Sequence, residues 1–321
     1  MGEFDLIDRF FKRPSRRADV GIGDDCALLS PRPGHQLALS ADMLVEGRHF
    51  LSTVNPVHLG HKSLAVNLSD LAACGAEPRA FLLSLALPHA DETWLQGFSQ
   101  GLLALADAHG CELIGGDTTR GPLNIAITVI GDVPQGQALL RSGARLGDNI
   151  YVSGTVGDAR LALEVFRGHL SLPEKVFEHC RARLECPTPR VALGMALRGI
   201  ATAAADISDG LLGDLGHILH QSGVGAQIDV PACVGLLTCC HEPHVVQAWQ
   251  QTCVLSGGDD YELVFTAPPS RHADVQLAAQ ACQVPVTRIG TVTAPMGVTL
   301  LDAQGQPVNS HFSSFDHFAQ A

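Results

Sequence analysis

Apolar and small residues form short blocks along this chain, and three of these blocks end at an aspartate. The blocks cover residues 37–42 (LALSAD), 112–117 (ELIGGD) and 201–206 (ATAAAD). Runs of this length and composition are typical of strands. Ligands gather at the carboxyl ends of strands in open α/β sheets. The pattern therefore predicts that Asp42, Asp117 and Asp206 lie at strand ends, where a ligand would bind.

The remaining pattern alternates between strands and helices. Apolar runs predict further strands at residues 80–87, 123–130, 150–153, 261–266 and 286–289. Apolar residues spaced by three and four predict helices at 57–74, 91–109, 188–198 and 209–221. The mixture predicts an α/β (α+β) fold. A chain of 321 residues favours two domains, and the polar, glycine-bearing stretch 134–148 is the predicted boundary, giving domains 1–137 and 138–321.

The predicted helix 57–74 is apolar nearly all round, which indicates burial. Ser63, Asn67 and Asp70 form a polar stripe on it, because they are spaced by four and three residues. An unpaired buried carboxylate costs several kcal/mol or becomes protonated. We therefore expect Asp70 to face a cation or a satisfied polar network; an ion pair with an arginine is the alternative.

Composition and charge narrow the class of protein. The chain is 46% hydrophobic and 17% charged, with 33 glycines, as in a globular α/β protein. A formal charge of −12 argues against a nucleic-acid partner. The sequence contains neither a targeting segment nor a membrane-spanning run, so we expect a cytoplasmic protein with no membrane partner. The ten cysteines lack the spacing of a closed zinc site, which predicts reduced thiols.

The acidic residues are mostly aspartate, with 22 Asp against 11 Glu. Aspartate is a short oxygen ligand for hard divalent cations, although any single aspartate is also common as a turn or helix cap. Two like charges ~4 Å apart repel by about 4 kcal/mol at an effective dielectric near 20. A converging group would need several Mg²⁺ ions for charge balance. Its predicted members are Asp24, Asp25, Asp42, Asp70, Asp117, Asp206 and Asp209.

Two familiar phosphate-binding loops are missing from the sequence. Residues 21–26 (GIGDDC) begin like a dinucleotide fingerprint but have no third glycine. The chain has three lysines, and none of them lies in a Gly-x-x-x-x-Gly-Lys-Ser/Thr loop. The adjacent acids Asp24 and Asp25 instead suggest half of a metal site, or simply a turn before a strand. The remaining possibility is that phosphate binds through metal ions that acidic residues hold.

Seven ordered stretches spread over residues 21–265 resemble one family. They are GIGDDCALL, LSADMLVEGRHF, KSLAVNLSDLAACGAEP, LIGGDTTRGP, LRSGARLGD, DISDGLLGDLGHI and SGGDDYELVF. Together with the closing FDHFA they are similar to the thiamine-monophosphate kinases, which share a superfamily with aminoimidazole ribonucleotide synthetase and selenophosphate synthetase. The resemblance implies a two-domain fold whose N-terminal strands form a barrel across a homodimer. It assigns ATP and metal binding and dimerisation to domain 1–137, and completion of the active site to domain 138–321.

The resemblance also implies roles for individual residues. Positions matching the family's Mg²⁺ ligands are Asp25, Ser40, Ala41, Asp42, Asp70, Asp117, Asp206 and Asp209. Three of these, Asp42, Asp117 and Asp209, would act in catalysis through the bound ions. Positions matching ATP contacts are Gly116, Asp117, Arg141 and Ser208. Those matching contacts to thiamine monophosphate are His49, Asp259 and Phe315.

This chain departs from the family pattern at three positions. Asp259 stands where Glu is usual, and its carboxylate is one methylene shorter. Ala41 stands where Thr is common, so that only the backbone carbonyl could bind metal. Phe315 replaces a Tyr of some members and keeps the stacking face without the hydroxyl. We expect these changes to affect affinity more than reaction type.

The resemblance implies ATP-dependent phosphorylation of thiamine monophosphate to thiamine diphosphate by direct in-line transfer, with Mg²⁺. An ionised phosphate acceptor needs no general base, which suits a chain that supplies aspartates and no Ser-His or Cys-His arrangement. One alternative is another ATP-using enzyme of the superfamily, similar to aminoimidazole ribonucleotide synthetase or selenophosphate synthetase. The other is a non-catalytic nucleotide or divalent-cation sensor.

Overall fold

The computed structural model describes residues 2–308, and these divide into two compact units. The first unit extends to Leu71 and resumes over Ala76–Ala138. The second comprises Ala72–Gly75 and the chain from Leu139 onward. The division at Ala138 and Leu139 falls within the polar stretch 134–148.

The first unit contains four strands and three helices. The strands are β1 (His35–Val45), β2 (Glu77–Leu87), β3 (Glu112–Arg120) and β4 (Asn124–Pro134), and the helices are α1 (Glu3–Phe10), α2 (Pro56–Ala73, whose last two residues belong to the second unit) and α3 (Glu92–His109). The strands form one sheet in the order β1-β4-β2-β3. Only the β2–β3 ladder is parallel, because β4 runs antiparallel to both of its neighbours, β1 and β2.

Helix α2 is buried on nearly all sides, as its apolar sequence predicts. Its packing against α3 depends on two glycines. A Cβ at Gly60 would lie 2.0 Å from the carbonyl oxygen of Phe98, and one at Gly101 would lie 1.8 Å from that of Val57. Any side chain at either position would separate the helices. The backbones therefore approach closely enough to keep α2 in place beside the sheet.

Within its described residues, the second unit contains six strands and seven α-helices. The strands are β5 (Asn149–Ser153), β6 (Ala203–Asp206), β7 (Gly225–Asp229), β8 (Leu263–Ala267), β9 (Val286–Thr293) and β10 (Gly297–Leu301). The helices are α4 (Asp158–Phe166), α5 (Glu174–Glu185), α6 (Val191–Ala196), α7 (Leu211–Ser222), α8 (Val230–Val234), α9 (Gln247–Ser256) and α10 (His272–Ala281). The sheet order is β10-β7-β9-β5-β8-β6, and only the β10–β7 pair is parallel.

The expected positions of Asp42 and Asp117 at strand ends were wrong, and so was the expected length of one helix. Asp42 and Asp117 lie inside β1 and β3 and not at strand ends, whereas Asp206 is the last residue of β6. Both sheets are largely antiparallel, so the rule for open parallel sheets does not locate the site. The predicted helix 188–198 is shortened to Val191–Ala196, since Pro187 and Pro189 disfavour helical backbone in the residues before them.

In the described part of the chain, no helix combines the length and the apolar character needed to cross a bilayer.

Candidate active site

In the first unit, the polar stripe of α2 meets the inner face of β1. The Ser40 hydroxyl donates to Asp70 Oδ2 over 2.5 Å, and the Asp42 amide donates to Asn67 Oδ1 over 3.2 Å. Ser40 and Asp42 share this face because side chains alternate along a strand. Asp70 thus lies in a polar network, one of the two surroundings expected for it. The structure brings together three of the predicted ligands: Ser40, Asp42 and Asp70.

Ala41 points to the opposite, exposed face of β1. Its methyl group is directed away from the Ser40–Asp70 pair. A backbone carbonyl is the only ligand atom that this residue could offer.

Asp117 lies on that opposite face, away from Asp42. It is paired with Ser84 of β2, whereas Asp42 is paired with Ile127 of β4, which in turn faces Leu83. Leu83 and Ser84 are neighbours in one strand and point to opposite faces. Asp42 and Asp117 are also three strand spacings apart, roughly 14 Å. Within one chain they cannot bind the same ion.

Gly116 is required by the sheet itself. It has a φ of 147°, and a Cβ there would lie 1.8 Å from the carbonyl oxygen of Leu83. A side chain would push β3 away from β2 and displace Asp117. Gly116 is therefore a strand residue that permits close backbone approach.

Asp25 and His49 flank β1 in sequence. Asp25 is exposed, and its amide donates to Asp24 Oδ1 over 2.9 Å, a contact that does not tie it to the Ser40–Asp70 pair. His49 accepts from the Val45 amide at Nδ1 over 3.0 Å. A neutral imidazole that accepts at Nδ1 carries its hydrogen on Nε2. The ring is thus oriented as a hydrogen-bond donor through Nε2.

In the second unit, the turn between β6 and α7 holds three predicted site residues. Asp206 is buried at the end of β6, and Ser208 and Asp209 follow it. The turn is fixed by Asp214 on α7, whose Oδ2 accepts from the amides of residues 208, 209 and 210 over 3.0, 3.0 and 3.1 Å. Burial raises the pKa of Asp214 to about 7, aided by the Asp209 carboxylate and opposed by the three amides.

The segment 257–262 lies directly against this turn. The Asp259 amide donates to the Ser208 carbonyl over 2.9 Å, and the Tyr261 amide donates to the Ile207 carbonyl over 2.8 Å. A Cβ on Gly258 would lie 2.4 Å from the Ser208 carbonyl oxygen, so only glycine fits there. The structure therefore places Asp259, the predicted substrate contact, beside Ser208, the predicted ATP contact.

Sequence reasoning missed the carboxylate that anchors this segment. Glu262 is fully buried and accepts from Ser153 Oγ over 2.6 Å, from Arg183 Nη2 over 2.9 Å and from Arg190 Nε over 2.6 Å. Arg183 also donates to the Asp260 carbonyl over 3.2 Å. An acid directly before the apolar run of β8 was a usable signal, because a buried carboxylate requires partners. Its arginine partners are remote in sequence and carry no such signal.

Asp260 lies in the same segment as Asp259, and two predicted ligand contacts, Arg141 and Phe315, lie elsewhere in the sequence. Asp260 is fully buried, and both its carboxylate oxygens accept from the Gly157 amide, over 2.9 and 3.0 Å. Burial raises its pKa well above the ordinary value, which favours a neutral carboxyl with a structural role. Arg141 is exposed near the start of the second unit. Phe315 lies outside the described residues.

The donor chemistry of both groups fits Mg²⁺. Around β1 the donors are hydroxyl and carboxylate oxygens, and one of the acids, Asp70, is already oriented by the Ser40 hydroxyl. In the second unit the donors are the carboxylates Asp206 and Asp209, with Asp209 in a turn fixed through its own backbone amide. Hard oxygen donors without sulfur or imidazole are the ligands that Mg²⁺ prefers.

Two family models cover most of the chain. Residues 23–133 match the N-terminal domain of AIR synthase related proteins, and residues 147–302 match the C-terminal domain of the same proteins. The chain is also 47% identical to the thiamine-monophosphate kinase of Salmonella typhimurium over 322 residues, covering 99% of this chain and 98% of that one.

The chain belongs to the thiamine-monophosphate kinase family.

Solved structures of thiamine-monophosphate kinases have the same fold. The enzyme from Stenotrophomonas maltophilia is 45% identical, with a TM-score of 0.84 over 91% of this chain and 92% of that one. AaThiL, solved in complex with AMPPCP and TMP, is 30% identical, with a TM-score of 0.77 over 90% and 89% of the two chains. The expected two-domain fold of the thiamine-monophosphate kinase superfamily is confirmed.

Proposed function

We propose that this protein transfers the γ-phosphoryl group of ATP to thiamine monophosphate, producing thiamine diphosphate and ADP, with Mg²⁺ as cofactor. The observation that carries the proposal is full-length identity of 47% to a thiamine-monophosphate kinase. The oxygen-donor groups around β1 and at the end of β6 support it, because they suit metal-bound phosphates. The likeness to AaThiL, whose structure contains an ATP analogue and TMP, points the same way.

The reaction needs little general acid–base catalysis. A phosphate oxygen of thiamine monophosphate forms the new bond to the γ-phosphorus as the bond to the ADP oxygen breaks. The second pKa of a phosphate monoester is about 6, so the acceptor is largely ionised at neutral pH. Catalysis then rests on positioning and charge neutralisation.

Different residues of the chain would bind the metal and the ATP. Ser40, Asp42 and Asp70 would hold metal in the first unit, with Asp25 and the carbonyl of Ala41 as further candidates, while Asp206 and Asp209 would hold it in the second. Bound Mg²⁺ would neutralise phosphate oxygens and position the transferred group. Asp214 keeps Ser208 and Asp209 in a fixed turn. Gly116, Asp117, Arg141 and Ser208 are the proposed ATP contacts.

The organic part of the substrate is assigned to His49, Asp259 and Phe315. His49 presents an Nε2 donor because its Nδ1 accepts from the Val45 amide. Asp259 is held against Ser208 through its backbone. The role of Phe315 and a cytoplasmic location stay predictions.

We also propose that the protein is a homodimer joined through the sheet of the first unit. Leu37, Leu39 and Met43 project from the outer face of edge strand β1 and are 43%, 63% and 56% exposed. Covering three large apolar side chains is favourable, at roughly 25 cal/mol per Å² of apolar surface buried. The N-terminal strands, including the stretch at Leu123 before β4, would supply the interface.

The test is ADP release measured with ATP, Mg²⁺ and thiamine monophosphate, with thiamine diphosphate identified by chromatography. We expect turnover that depends on thiamine monophosphate. Turnover only with substrates of aminoimidazole ribonucleotide synthetase or selenophosphate synthetase would establish the enzymatic alternative. Nucleotide binding without turnover on any of these substrates would indicate a sensor.

Removal of the metal tests the charge argument separately. A chelator in excess of Mg²⁺ should abolish product formation, and added Mg²⁺ should restore it. Full ATP-dependent turnover in metal-free buffer would refute the metal-based mechanism while leaving the substrate assignment intact.

A further inference from the structure

Two thiols and a carboxylate converge in the interior of the second unit. Asp158 begins α4, Cys180 lies in α5, and Cys239 lies in the segment after α8. The two sulfurs are 3.8 Å apart, and Cys239 Sγ is 3.8 Å from Asp158 Oδ1. One ligand atom from each residue lies within 4.8 Å of the others, and all three residues are buried. We call this group the acid–thiol cluster.

The spacing matches three corners of a tetrahedral zinc site. With Zn–S bonds of about 2.3 Å and a Zn–O bond of about 2.1 Å, a tetrahedron has edges of about 3.8 Å between two sulfurs and about 3.6 Å between sulfur and oxygen. The Cys180–Cys239 and Cys239–Asp158 separations agree with these edges within a few tenths of an ångström, and the ligand atoms of Cys180 and Asp158 lie within 4.8 Å of each other. Little side-chain movement would be needed to place an ion at the centre.

We propose that Asp158, Cys180 and Cys239 form a binding site for a thiophilic divalent cation such as Zn²⁺, separate from the oxygen-donor groups of the active site. The ion would form two metal–sulfur bonds and one metal–oxygen bond, and a water molecule would be the fourth ligand. Both thiol protons would leave to solvent, since thiolate is the metal-binding form.

The carboxylate is already oriented as a ligand. The Thr238 amide donates to Asp158 Oδ1 over 3.1 Å, and the Thr238 hydroxyl donates to Oδ2 over 2.7 Å. Hydrogen bonds of this kind commonly fix carboxylate ligands at metal sites. Within residues 2–308, the hydrogen-bond partners of this buried carboxylate are Thr238 and Cys239, neither of which is a cation. A bound ion would supply the missing positive charge.

The two sulfur ligands determine the class of metal. The contact with Cys239 and burial both raise the pKa of the Cys180 thiol, so the thiolate does not form by itself. A soft or borderline cation deprotonates the thiols that it binds, whereas Mg²⁺ prefers oxygen ligands. The raised pKa of Cys180 also slows disulfide formation by this thiol, because the thiolate is the reactive form.

Cys239 is the most exposed member of the acid–thiol cluster. Cys239 is 8% exposed and is followed by the half-buried Cys240. Asp158 follows Gly157, whose amide binds Asp260 in the segment that carries Asp259. Metal binding would therefore join α4, α5 and residue 239 next to that segment.

The experiment is a titration of the reduced full-length protein with Cd²⁺ in excess Mg²⁺, which keeps the oxygen-donor groups occupied. Cadmium bound to thiolate absorbs in the ultraviolet, and cadmium bound only to carboxylates does not give this band. We expect the band to saturate at one ion per chain, with release of about two protons per ion. Zn²⁺ should displace Cd²⁺ and remove the band.

Variants locate the site. Cys180→Ser and Cys239→Ser should each weaken Cd²⁺ binding at least tenfold and reduce the band, and Asp158→Asn should weaken binding with the band retained. Cys233→Ser is the matched control, because Cys233 is another fully buried thiol of the same unit outside the cluster. It should leave the titration unchanged.

Several outcomes would overturn the proposal. They are the absence of a thiolate band in the parent protein, and a band that persists unchanged in both Cys180→Ser and Cys239→Ser. Loss of the band in Cys233→Ser instead would place the ion elsewhere. The parent titration with Zn²⁺ competition needs no variant, so it tests the proposal even if a serine substitution prevents folding.

Discussion

Asp259 has a backbone φ of +69°, and Tyr261, two residues later, has a φ of +53°. Residues other than glycine rarely adopt this left-handed backbone region, and doing so costs about 1–3 kcal/mol. The backbone bonds to residues 207 and 208 stabilise this conformation. The Tyr261 hydroxyl also donates to Asp259 Oδ1 over 3.4 Å. The orientation of Asp259 is therefore set by the loop and not by its own conformational preference.

Lengthening this side chain tests its role in substrate binding. The Asp259 carboxylate lies ~1.5 Å farther from a fixed ligand than that of a glutamate would. A bridging water can fill such a gap at a cost of roughly 0–2 kcal/mol. Asp259→Glu should therefore lower KM for thiamine monophosphate by about threefold to tenfold and leave kcat nearly unchanged, as when uniform binding is restored. Steady-state kinetics measures both. A collapse of kcat would place Asp259 at the reacting phosphates instead.

A substitution at Glu262 tests how the segment 257–262 is held in place. Its carboxylate is paired with Arg183 and Arg190 and has no exposed surface. Glu262→Gln leaves two partly buried guanidinium groups without this charged partner, and breaking a buried pair in this way costs about 3–5 kcal/mol. We expect a loss of that size in the free energy of unfolding, measured by urea denaturation. Asp274→Asn, which breaks the exposed pair with Arg271, should cost less than about 1 kcal/mol. Equal losses in the two variants would contradict this account.

At the scale of elements, α4 carries a buried carboxylate that makes folding sensitive to acid. The Glu164 side chain is 2% exposed and contacts Arg160 Nε over 2.7 Å, Arg167 Nη1 over 2.8 Å and His169 Nδ1 over 2.6 Å. Burial raises the pKa of Glu164, but His169 and the two arginines outweigh burial and lower it overall. The folded protein therefore binds this proton more weakly than the unfolded chain, whose glutamate pKa is about 4.3.

The sign of the effect follows from this lowered pKa. The stabilisation by Glu164 is present above the unfolded pKa and is lost as the pH falls through the lower, folded pKa. Glu164→Gln should reduce stability at pH 7 and flatten the fall in stability below about pH 4.5. Thermal unfolding between neutral and acidic pH measures both changes. Glu174→Gln, at an exposed position in the first turn of α5, is the control and should leave the acid dependence as it is. A parallel pH profile for Glu164→Gln would refute the assignment.

Sequence periodicity predicted some elements well and omitted others. Helix α2 was predicted at 57–74 and occupies Pro56–Ala73, because its apolar positions and the polar stripe ending at Asp70 both carry information. Helices α4 and α5 were not predicted. Their buried positions include Asp158, Glu164 and Glu185, which conceal the apolar pattern. An acid held by partners elsewhere in the fold looks, in sequence, like a surface residue.

The residue types of the site could be predicted from the sequence, but their arrangement in space could not. Aspartates in glycine-rich stretches indicated metal and phosphate, and the hydrogen bond between Ser40 and Asp70 agrees with the predicted stripe. The separation of Asp42 from Asp117 could not be predicted, because it depends on strand order and register. Both depend on long-range pairing, on which short-range patterns carry no information.

At the scale of the whole molecule, this separation bears on the assembly. Asp42 lies on β1 and Asp117 on β3, and these are the two edge strands of one sheet. A twofold dimer that pairs β1 of one subunit with β3 of its partner would place the strand of Asp42 beside the strand that carries Asp117 of the partner subunit, which removes the three-strand separation between them. The exposed Leu37, Leu39 and Met43 on β1 favour burial of this edge. We therefore predict a homodimer in which each active site uses both subunits, and light scattering at micromolar concentration should report twice the mass of the chain.

Mixing two inactive variants distinguishes a shared site from one built within a single chain. Asp42→Asn and Asp117→Asn each remove a ligand charge at constant size, so each homodimer should lose turnover by orders of magnitude without unfolding. In a mixed dimer with shared sites, one site carries both substitutions and the other carries neither. A random equal mixture should then recover about a quarter of the parent kcat, since half of the dimers are mixed and each of these has one intact site of two. If Asp42 and Asp117 act in the same chain, every site in the mixture keeps one defect and no activity returns. A monomer by light scattering, or a mixture as inactive as its components, would contradict the shared site.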